Sequence, residues 1–525
     1  MRWAAHRGHR PGTRRRLVFR LRQAVILGLC ASAVTAPQVL AQPAGSAAPG
    51  SAAPALSWRP CPQTGGPAGQ ECAELPVPLD YRDPQGPQLT LAVSRLRSET
   101  PAERRGTLLV IPGGPGASGV ERLTQRGESL RHALGGTYDL VSLDPRGVGG
   151  STTASCDLDA ADRTLMSLRP WPDSGGGIGE NVALARRTAE ACARNGGAVL
   201  GSFSTANEVR DIDRLRQALG EERISAYATS YGSYVAASYA QRHPQHTDRW
   251  VLDGSGDPDP ERVGRGWLAN LARGAEDRFP DFAAWAADPA RADEGLRLAE
   301  RAADVRPLFL DLAAELDRAP RETTTDGVPL DGNRLRQAMH SALYADSAFP
   351  ALARLIQQAE DPDATPVLPP ELTVALPDPD AAVAHAVLCN DVRWPASVPA
   401  HQRAVTADRI RNPLTAGMPV NITPCSFWKD SPADEPVRIT DEGPSNILMV
   451  QNLRDPATPY SGALRMRSAL GDRARLVTVE SGGHGAYLNS GNACGDRAVT
   501  AFLTTGRRPA TDIRCQPEQD GPAPG

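Results

Sequence analysis

A serine in the middle of the chain has the surroundings of a catalytic nucleophile. Ser230 stands between the short apolar run Ile224–Thr229 and a helix-like segment rich in alanine and tyrosine. A serine on a sharp turn from a strand into a helix is exposed for attack on a carbonyl group. Small residues two places before and after it let the strand and the helix pack closely. Those places hold Ala228, where glycine is usual, and Gly232; a helix-capping serine has a similar pattern, so partners elsewhere must decide.

Two residues near the C-terminus complete a possible serine, acid and histidine triad. In such a triad the histidine takes the serine proton and the acid orients the imidazole. Asp455 follows the apolar run 447–451, and His484 follows the run 475–479 in a glycine-rich loop. Because both residues come just after predicted strands, they would meet Ser230 at one edge of a parallel sheet.

The same edge should also supply donors for the oxygen of a tetrahedral intermediate. The loop 112–116, Pro-Gly-Gly-Pro-Gly, follows the apolar run Thr107–Ile111. Glycines allow backbone N–H groups to approach a substrate oxygen, whereas Pro115 has no N–H to give. We therefore predict that the oxyanion hole is formed by the N–H groups of Gly114 and Tyr231; a plain glycine-proline turn is the alternative.

Two charged residues near these loops have other interpretations. Asp253 ends the predicted strand before the helical region, so it is a rival for the triad acid, or a helix cap or structural acid. Arg146, in the loop 144–147, is expected to pair with a nearby carboxylate and to have a structural role.

The pattern of elements predicts an α/β fold. Short apolar runs alternate with helix-like segments, which indicates a mostly parallel sheet with helices on both faces. Alternation stops after Gly254, and the stretch 258–440 offers helices but few strands before strands return near 447. We predict a helical cap at 258–440, inserted between sheet regions at 58–257 and 441–515.

Six short motifs are distributed over most of the chain, at 112–116, 144–151, 230–232, 251–254, 455–459 and 482–485. Together they resemble the secreted tripeptidyl aminopeptidase branch of the prolyl aminopeptidase family of α/β-hydrolases. The resemblance implies an α/β-hydrolase fold with an inserted cap, exopeptidase action on peptides with free N-termini, and a triad of Ser230, Asp455 and His484. Two residues depart from the family pattern: Ala228 replaces the first glycine of the turn, and Ile111 stands where members have asparagine or histidine.

An aminopeptidase must also bind the α-ammonium group of its substrate, which calls for carboxylates in a closed pocket. The candidates are acidic residues in or beside the predicted cap, namely Asp257, Asp259, Glu261 and Asp391. A secreted carboxylesterase would use the same triad without an ammonium anchor. A binding protein on this scaffold would be expected to have lost Ser230 or His484, and both are present.

The first 41 residues have the composition of a secretory signal peptide. They contain eight arginines and no acidic residue, then the apolar run 24–34, and cleavage is expected near Ala41. Either the general export pathway or a twin-arginine exporter would suit them. Residues 42–57 and 516–525 predict a disordered linker and tail. Loss of eight arginines from a chain of net charge −4 leaves an acidic protein, so we expect no nucleic-acid binding. The apolar run 24–34 is too short to span a membrane comfortably, and no later stretch approaches about 20 apolar residues, so we expect no membrane anchor.

Eight cysteines follow the predicted cleavage site, and an exported protein meets an oxidising compartment. They form four couples that are close in sequence, which predicts the disulfides Cys61–Cys72, Cys156–Cys192, Cys389–Cys425 and Cys494–Cys515. Neither a Cys-x-x-Cys spacing nor clustered histidines suggest a metal site. We expect a monomer that needs no metal or other cofactor.

Overall fold

The computed structural model of the protein describes residues 55–517, apart from 63–64, 262–263 and 431. The predicted signal peptide at 1–41, most of the predicted linker at 42–57 and most of the predicted tail at 516–525 lie outside the described residues.

One ten-stranded sheet carries the fold, in the order β1-β2-β3-β5-β4-β6-β7-β8-β9-β10. Strands β4 to β10 run parallel to one another, whereas the pairs β1–β2, β2–β3 and β3–β5 are antiparallel. The strands are β1 (Arg59–Pro60), β2 (Glu71–Pro78), β3 (Gln88–Leu96), β4 (Thr107–Ile111), β5 (Asp139–Leu143), β6 (Ile224–Thr229), β7 (Thr247–Asp253), β8 (Ile447–Arg454), β9 (Ala474–Gly482) and β10 (Ile513–Cys515).

Helices cover both faces of this sheet. They are α1 (Gly119–Ala133), α2 (Leu165–Leu168), α3 (Gly179–Asn195), α4 (Gly197–Gly201), α5 (Thr205–Ala218), α6 (Tyr231–Arg242), α7 (Arg265–Ala287), α8 (Ala290–Asp293), α9 (Ala302–Arg318), α10 (Gly332–Ala342), α11 (Phe349–Glu360), α12 (Asp378–Asp391), α13 (Val398–Arg411), α14 (Tyr460–Leu470) and α15 (Ala493–Thr505). Within β4, Leu109 and Ile111 belong to the core that α5 and α6 cover, and Leu108 and Val110 to the core beneath α1 and α15. Burial on both faces explains the continuous apolar sequence of β4 and confirms the predicted α/β fold class.

A helical region, α7 to α13, lies between β7 and β8 and has an apolar core of its own. The extended pairing described within it is a single bridge between Arg321 and Leu330. The loop between α2 and α3, before β6, extends it, because Trp171 donates to Gln337 at 3.2 Å and Asn333 donates to the carbonyl of Pro172 at 2.9 Å. The cap is therefore built from two stretches of chain, although its predicted boundaries at 258 and 440 stay predictions. In the described part of the chain, the helices are too short or too polar to cross a membrane.

Four disulfides close loops within these regions, and they join the same couples that sequence proximity predicts. They are Cys61–Cys72, Cys156–Cys192, Cys389–Cys425 and Cys494–Cys515. The first joins β1 to β2, and the last joins α15 to β10. Disulfides form and persist in oxidising compartments, so this set fits an extracellular protein.

The junction between β6 and α6 brings two backbones unusually close. Ser230, the single residue between them, has φ 58° and ψ −127°, and its N–H donates to the carbonyl of Asp253 at 2.8 Å. A Cβ atom at position 232 would lie 2.3 Å from the carbonyl oxygen of Pro112. Only glycine lets α6 start this close to the end of β4.

A buried ion pair fixes the loop that follows β5. The guanidinium of Arg146 donates to both oxygens of Asp211 at 2.6 and 2.8 Å, and both side chains are almost fully buried. The same guanidinium donates to the carbonyls of Pro78 and Leu79, and the hydroxyl of Tyr81 donates to Asp211. Arg146 thus joins β2, α5 and the loop after β5, which is the structural role expected from the sequence.

Replacing Asp211 should destabilise the fold strongly, because Asp211→Asn leaves a buried arginine without its counter-charge. We expect a loss of about 3–5 kcal/mol in the free energy of unfolding, measured by urea denaturation. Asp434→Asn is the control, since Asp434 pairs with Arg210 at a half-exposed site and should cost at most about 1 kcal/mol. Equal losses in the two variants would contradict the buried role of Asp211.

The close approach at Gly232 gives a second stability prediction. Gly232→Ala forces the added methyl group against backbone carbonyls, so we expect a loss of about 1–3 kcal/mol in the same denaturation experiment. In Gly179→Ala, at the start of α3, the new Cβ meets no atom within 4 Å. That control should leave stability unchanged within about 0.5 kcal/mol or raise it. A neutral Gly232→Ala variant would contradict the tight junction.

Candidate active site

Ser230 is presented at the carboxyl end of β6, on the turn described above. Its left-handed backbone is costly for a residue with a side chain and persists where the surroundings enforce it. The surroundings here include Gly113, because a Cβ at position 113 would lie 2.8 Å from the Cβ of Ser230 and 3.4 Å from its hydroxyl oxygen. The loop after β4 therefore runs directly over the serine.

Asp455 and His484 form a hydrogen-bonded pair at the carboxyl ends of β8 and β9. The Nδ1 atom of His484 lies 2.9 Å from both carboxylate oxygens of Asp455. Asp455 is buried and also accepts from the N–H groups of Ala457 and Thr458, each at 2.8 Å, and from the hydroxyl of Thr458. These donors hold the carboxylate in place to receive Nδ1–H, which leaves Nε2 as the free base of the imidazole.

The pKa of His484 reflects this pairing. Burial lowers it, but the charge of Asp455 and the hydrogen bond that the imidazole donates to Asp455 raise it more, so the net pKa lies above the ordinary value of histidine. The more distant charge of Asp253 adds to the increase. The imidazole is consequently a stronger base than a free histidine.

Asp253, the rival acid, has other partners. Its carboxylate accepts from the N–H groups of Ala486 and Tyr487 at 2.8 and 2.9 Å, and from the hydroxyl of Tyr227 at 3.0 Å. Burial raises its pKa to about 6. Asp253 therefore holds the backbone just after His484, whereas Asp455 holds the ring.

A residue of the cap packs directly on His484. The carbonyl of Tyr344, just after α10, accepts from the N–H of His484 at 2.9 Å. The two rings meet edge to face with centroids 5.3 Å apart. Tyr344 lies 140 positions before its partner and belongs to no motif, so sequence reasoning had no means of finding it.

Ser230 and His484 follow the carboxyl ends of β6 and β9, at the same edge of the sheet. Among the described residues, the Ser230 hydroxyl makes no hydrogen bond to the imidazole. Tyr344, whose ring contacts His484, lines the same cavity as Ser230. Bonds of this kind are often long before substrate binds and tighten in the reacting complex.

The two predicted oxyanion donors, Gly114 and Tyr231, line this cavity next to Ser230. Tyr231 is the first residue of α6, where backbone N–H groups have no partner within the helix and the helix dipole favours negative charge. Gly114 has φ 113°, a conformation that a side chain would strain. The arrangement suits an oxygen that becomes negative next to the serine.

A buried polar network holds the side chain of Tyr231. Its hydroxyl lies 3.0 Å from Glu208 and 2.8 Å from the hydroxyl of Thr205, which in turn donates to Asp391 at 2.6 Å. Burial raises the pKa of Glu208 to about 8 and that of Asp391 to about 6. The network connects the start of α6 with α5 and with the cap helix α12.

The cavity beside Ser230 has a volume of about 290 Å³ and mostly apolar walls. Helices α2, α3, α7 and α12 contribute to it. Its aromatic and aliphatic lining consists of Tyr231, Tyr234, Trp267, Tyr344, Trp394, Leu165, Leu168, Leu184, Leu268, Leu271, Leu388 and Ile422. Its size and apolar character suit the acyl part of a small substrate.

No carboxylate lines this cavity in the part of the chain that the structure describes. The buried carboxylate of Asp257 binds the guanidinium of Arg465, and Asp391 lies in the network behind Tyr231. Asp259 and Glu261 belong to the loop before α7, outside the lining. The four acids that the sequence suggests as ammonium anchors are thus not at the cavity wall. Within 55–517, excluding the gaps, no group of three or more His, Cys, Asp or Glu side chains could hold a metal ion.

Comparisons with known proteins agree with this geometry. A family model described as "TAP-like protein" matches residues 412–515. A tripeptidyl aminopeptidase of Streptomyces lividans is 32% identical over 91% of this chain and 89% of its own length. The serine protease Hip1 of Mycobacterium tuberculosis is 27% identical over 88% and 91%. Carboxylesterase B of Mycobacterium tuberculosis is 31% identical over 91% and 93%. The first of these matches, at this identity and over nearly the whole of both chains, shows that the chain belongs to the tripeptidyl aminopeptidase family of α/β-hydrolases.

Proposed function

We propose that the protein is a secreted serine aminopeptidase, which releases short peptides, chiefly tripeptides, or single residues from free N-termini. The observation that carries the proposal is the buried Asp455–His484 pair, whose contacts Thr458 and Tyr344 line the same cavity as Ser230. Relatives named tripeptidyl aminopeptidase and serine protease support peptide bonds as the target. We further propose that the enzyme is exported by the signal peptide at 1–41 and acts as a monomer without a membrane anchor.

The reaction is acyl transfer in two stages. His484 removes the proton of Ser230 through Nε2 as the serine oxygen attacks the scissile carbonyl, while Asp455 stabilises the imidazolium. The N–H groups of Gly114 and Tyr231 bind the oxyanion. His484 then protonates the leaving amine, the C–N bond breaks, and an acyl-enzyme remains on Ser230. Water, deprotonated by His484, hydrolyses this ester and releases the acyl group.

A carboxylesterase is the second candidate, and a specific observation favours it. An α-ammonium group in the cavity would need a carboxylate, and none of the described lining residues supplies one. The 31% identical relative named carboxylesterase B agrees with this alternative. The triad would act on an ester in the same way, with an alcohol as the leaving group.

A substrate panel separates the two candidates. Chromogenic anilides of one, two and three residues, with free or blocked N-termini, are compared with short-chain aryl esters. We expect free tripeptide anilides to have the highest kcat/KM. Ser230→Ala should lower the rate by about 10³-fold or more, while Ser129→Ala, at an exposed serine on α1, should retain cleavage. Turnover restricted to esters, or a preference for blocked peptides, would replace the aminopeptidase by the esterase.

The pH profile tests the role assigned to the Asp455–His484 pair. Only neutral His484 can accept the serine proton, so kcat/KM should rise with pH through the pKa of His484, above the usual range of histidine. Asp455→Asn removes the main influences that raise this pKa and leaves burial, which lowers it. We expect the acid limb to move to lower pH and the rate to fall by about 10³–10⁴-fold.

The control for this profile is Asp472→Asn, at an exposed site just before β9, at the opposite end of this strand from His484. It should leave both the limb and the rate unchanged. An acid limb that stays in place in Asp455→Asn would exclude Asp455 as the partner of the base. Asp253, whose own pKa is about 6, would then be the favoured triad acid.

A further inference from the structure

Arg169, His385 and Thr423 are polar residues at the cavity wall whose side chains make no hydrogen bond to another described residue. The guanidinium of Arg169 and the imidazole of His385 line the cavity, and neither makes a hydrogen bond or ion pair to another described residue. The hydroxyl of Thr423, also at the wall, is buried and unsatisfied. Burial lowers the pKa of His385 to about 4, so this ring is neutral near pH 7. Arg169 is therefore the one charged side chain in the described lining.

Several buried or partly buried arginines of this protein bind carboxylates. The buried guanidinium of Arg146 binds Asp211, that of Arg278 binds Asp281 and Asp346, and Arg454 binds Asp281 and Glu480. Arg169 is half-buried against the apolar cavity and has no such partner within the described chain. A cation held in partly desolvated surroundings is stabilised by an anion that arrives with a ligand.

Arg169 and Tyr344 both line the cavity, and the charge of Arg169 acts on Tyr344. Burial mainly sets the pKa values of His340 and Tyr344, and the charge of Arg169 lowers both, which locates the guanidinium within electrostatic range of these two residues. The Tyr344 ring packs on His484. In the reaction proposed above, His484 protonates the leaving amine, so the leaving group passes the same wall.

We infer that Arg169 is a specificity-determining residue that binds a carboxylate of the substrate. The inference rests on the proposed acyl transfer at Ser230 and deepens it by naming the substrate class: short peptides that bear a negative charge near the scissile bond. The planar guanidinium can donate two parallel hydrogen bonds to a carboxylate, which a lysine cannot match. The carboxylate can be the C-terminus of a short leaving peptide, which the position near Tyr344 favours, or an acidic side chain.

Matched substrate pairs distinguish the two sources. In one pair, two tetrapeptides differ only in a C-terminal carboxylate or amide; in the other, both peptides are amidated and differ only in one glutamate or glutamine. The wild-type enzyme should prefer the carboxylate member of the first pair by about tenfold to a hundredfold in kcat/KM. A preference confined to the second pair would assign the carboxylate to a side chain and retain the role of Arg169.

Variants then connect the preference to this residue. Arg169→Gln should abolish the preference, chiefly by raising KM for the carboxylate peptide, while the rate on the amide peptide changes by less than about twofold. Arg169→Lys should restore part of the preference, because it keeps the charge but loses the planar fork. The matched control is Arg194→Gln, an exposed arginine on α3 outside the cavity lining, which should behave as wild type.

Two results would overturn the inference: a wild-type enzyme without preference in either pair, or a preference that survives in Arg169→Gln. The first needs no variant, so a misfolded variant cannot leave the question open. Failure of the proposed function has a different result, since the wild type would then cleave none of the four peptides.

Discussion

The site depends on the tight junction at Ser230. Three backbone segments converge there: the end of β6 turns through a left-handed serine, α6 starts against the carbonyls that follow β4, and Gly113 covers the serine itself. The Ser230 N–H is bonded to the carbonyl of Asp253 on the neighbouring strand, so the turn cannot relax without disturbing β7. Strain of this kind is stable only because the buried parallel sheet on both sides fixes every strand end.

The cap is attached to the same sheet edge through the loops of the predicted acid and base. Asp281 of α7 accepts from Arg454, the residue before Asp455, at 2.8 Å, and Arg454 also pairs with Glu480 of β9. Tyr344 adds a hydrogen bond to the backbone of His484. Movement of the cap would therefore displace Asp455 and His484 first. The contacts that enclose the cavity therefore also orient the imidazole of His484.

Most of the correct predictions from sequence rest on short-range patterns of apolar residues. The ends of β4, β5 and β6 agree with their apolar runs, because strands buried on both faces leave an uninterrupted pattern. β2 escaped prediction since Pro76 and Pro78 argue against a strand, yet it lies near the sheet edge, where prolines are tolerated. The roles of Tyr344 and Arg169 were not predicted for another reason. Their positions depend on how the cap folds over the sheet, and no short-range sequence pattern encodes that fold.

The composition of the cavity determines where its selectivity can come from. An apolar wall discriminates weakly, since a methylene more or less is worth about 1–3 kcal/mol, whereas a buried polar group left without its partner rejects a ligand far more strongly. The polar groups of the described lining include Arg169, His385 and the unsatisfied hydroxyl of Thr423. The aromatic and leucine side chains can admit many groups of suitable volume. Selection among substrates must then depend on the few polar contacts, and Arg169, the charged residue of the described lining, is suited to an anion.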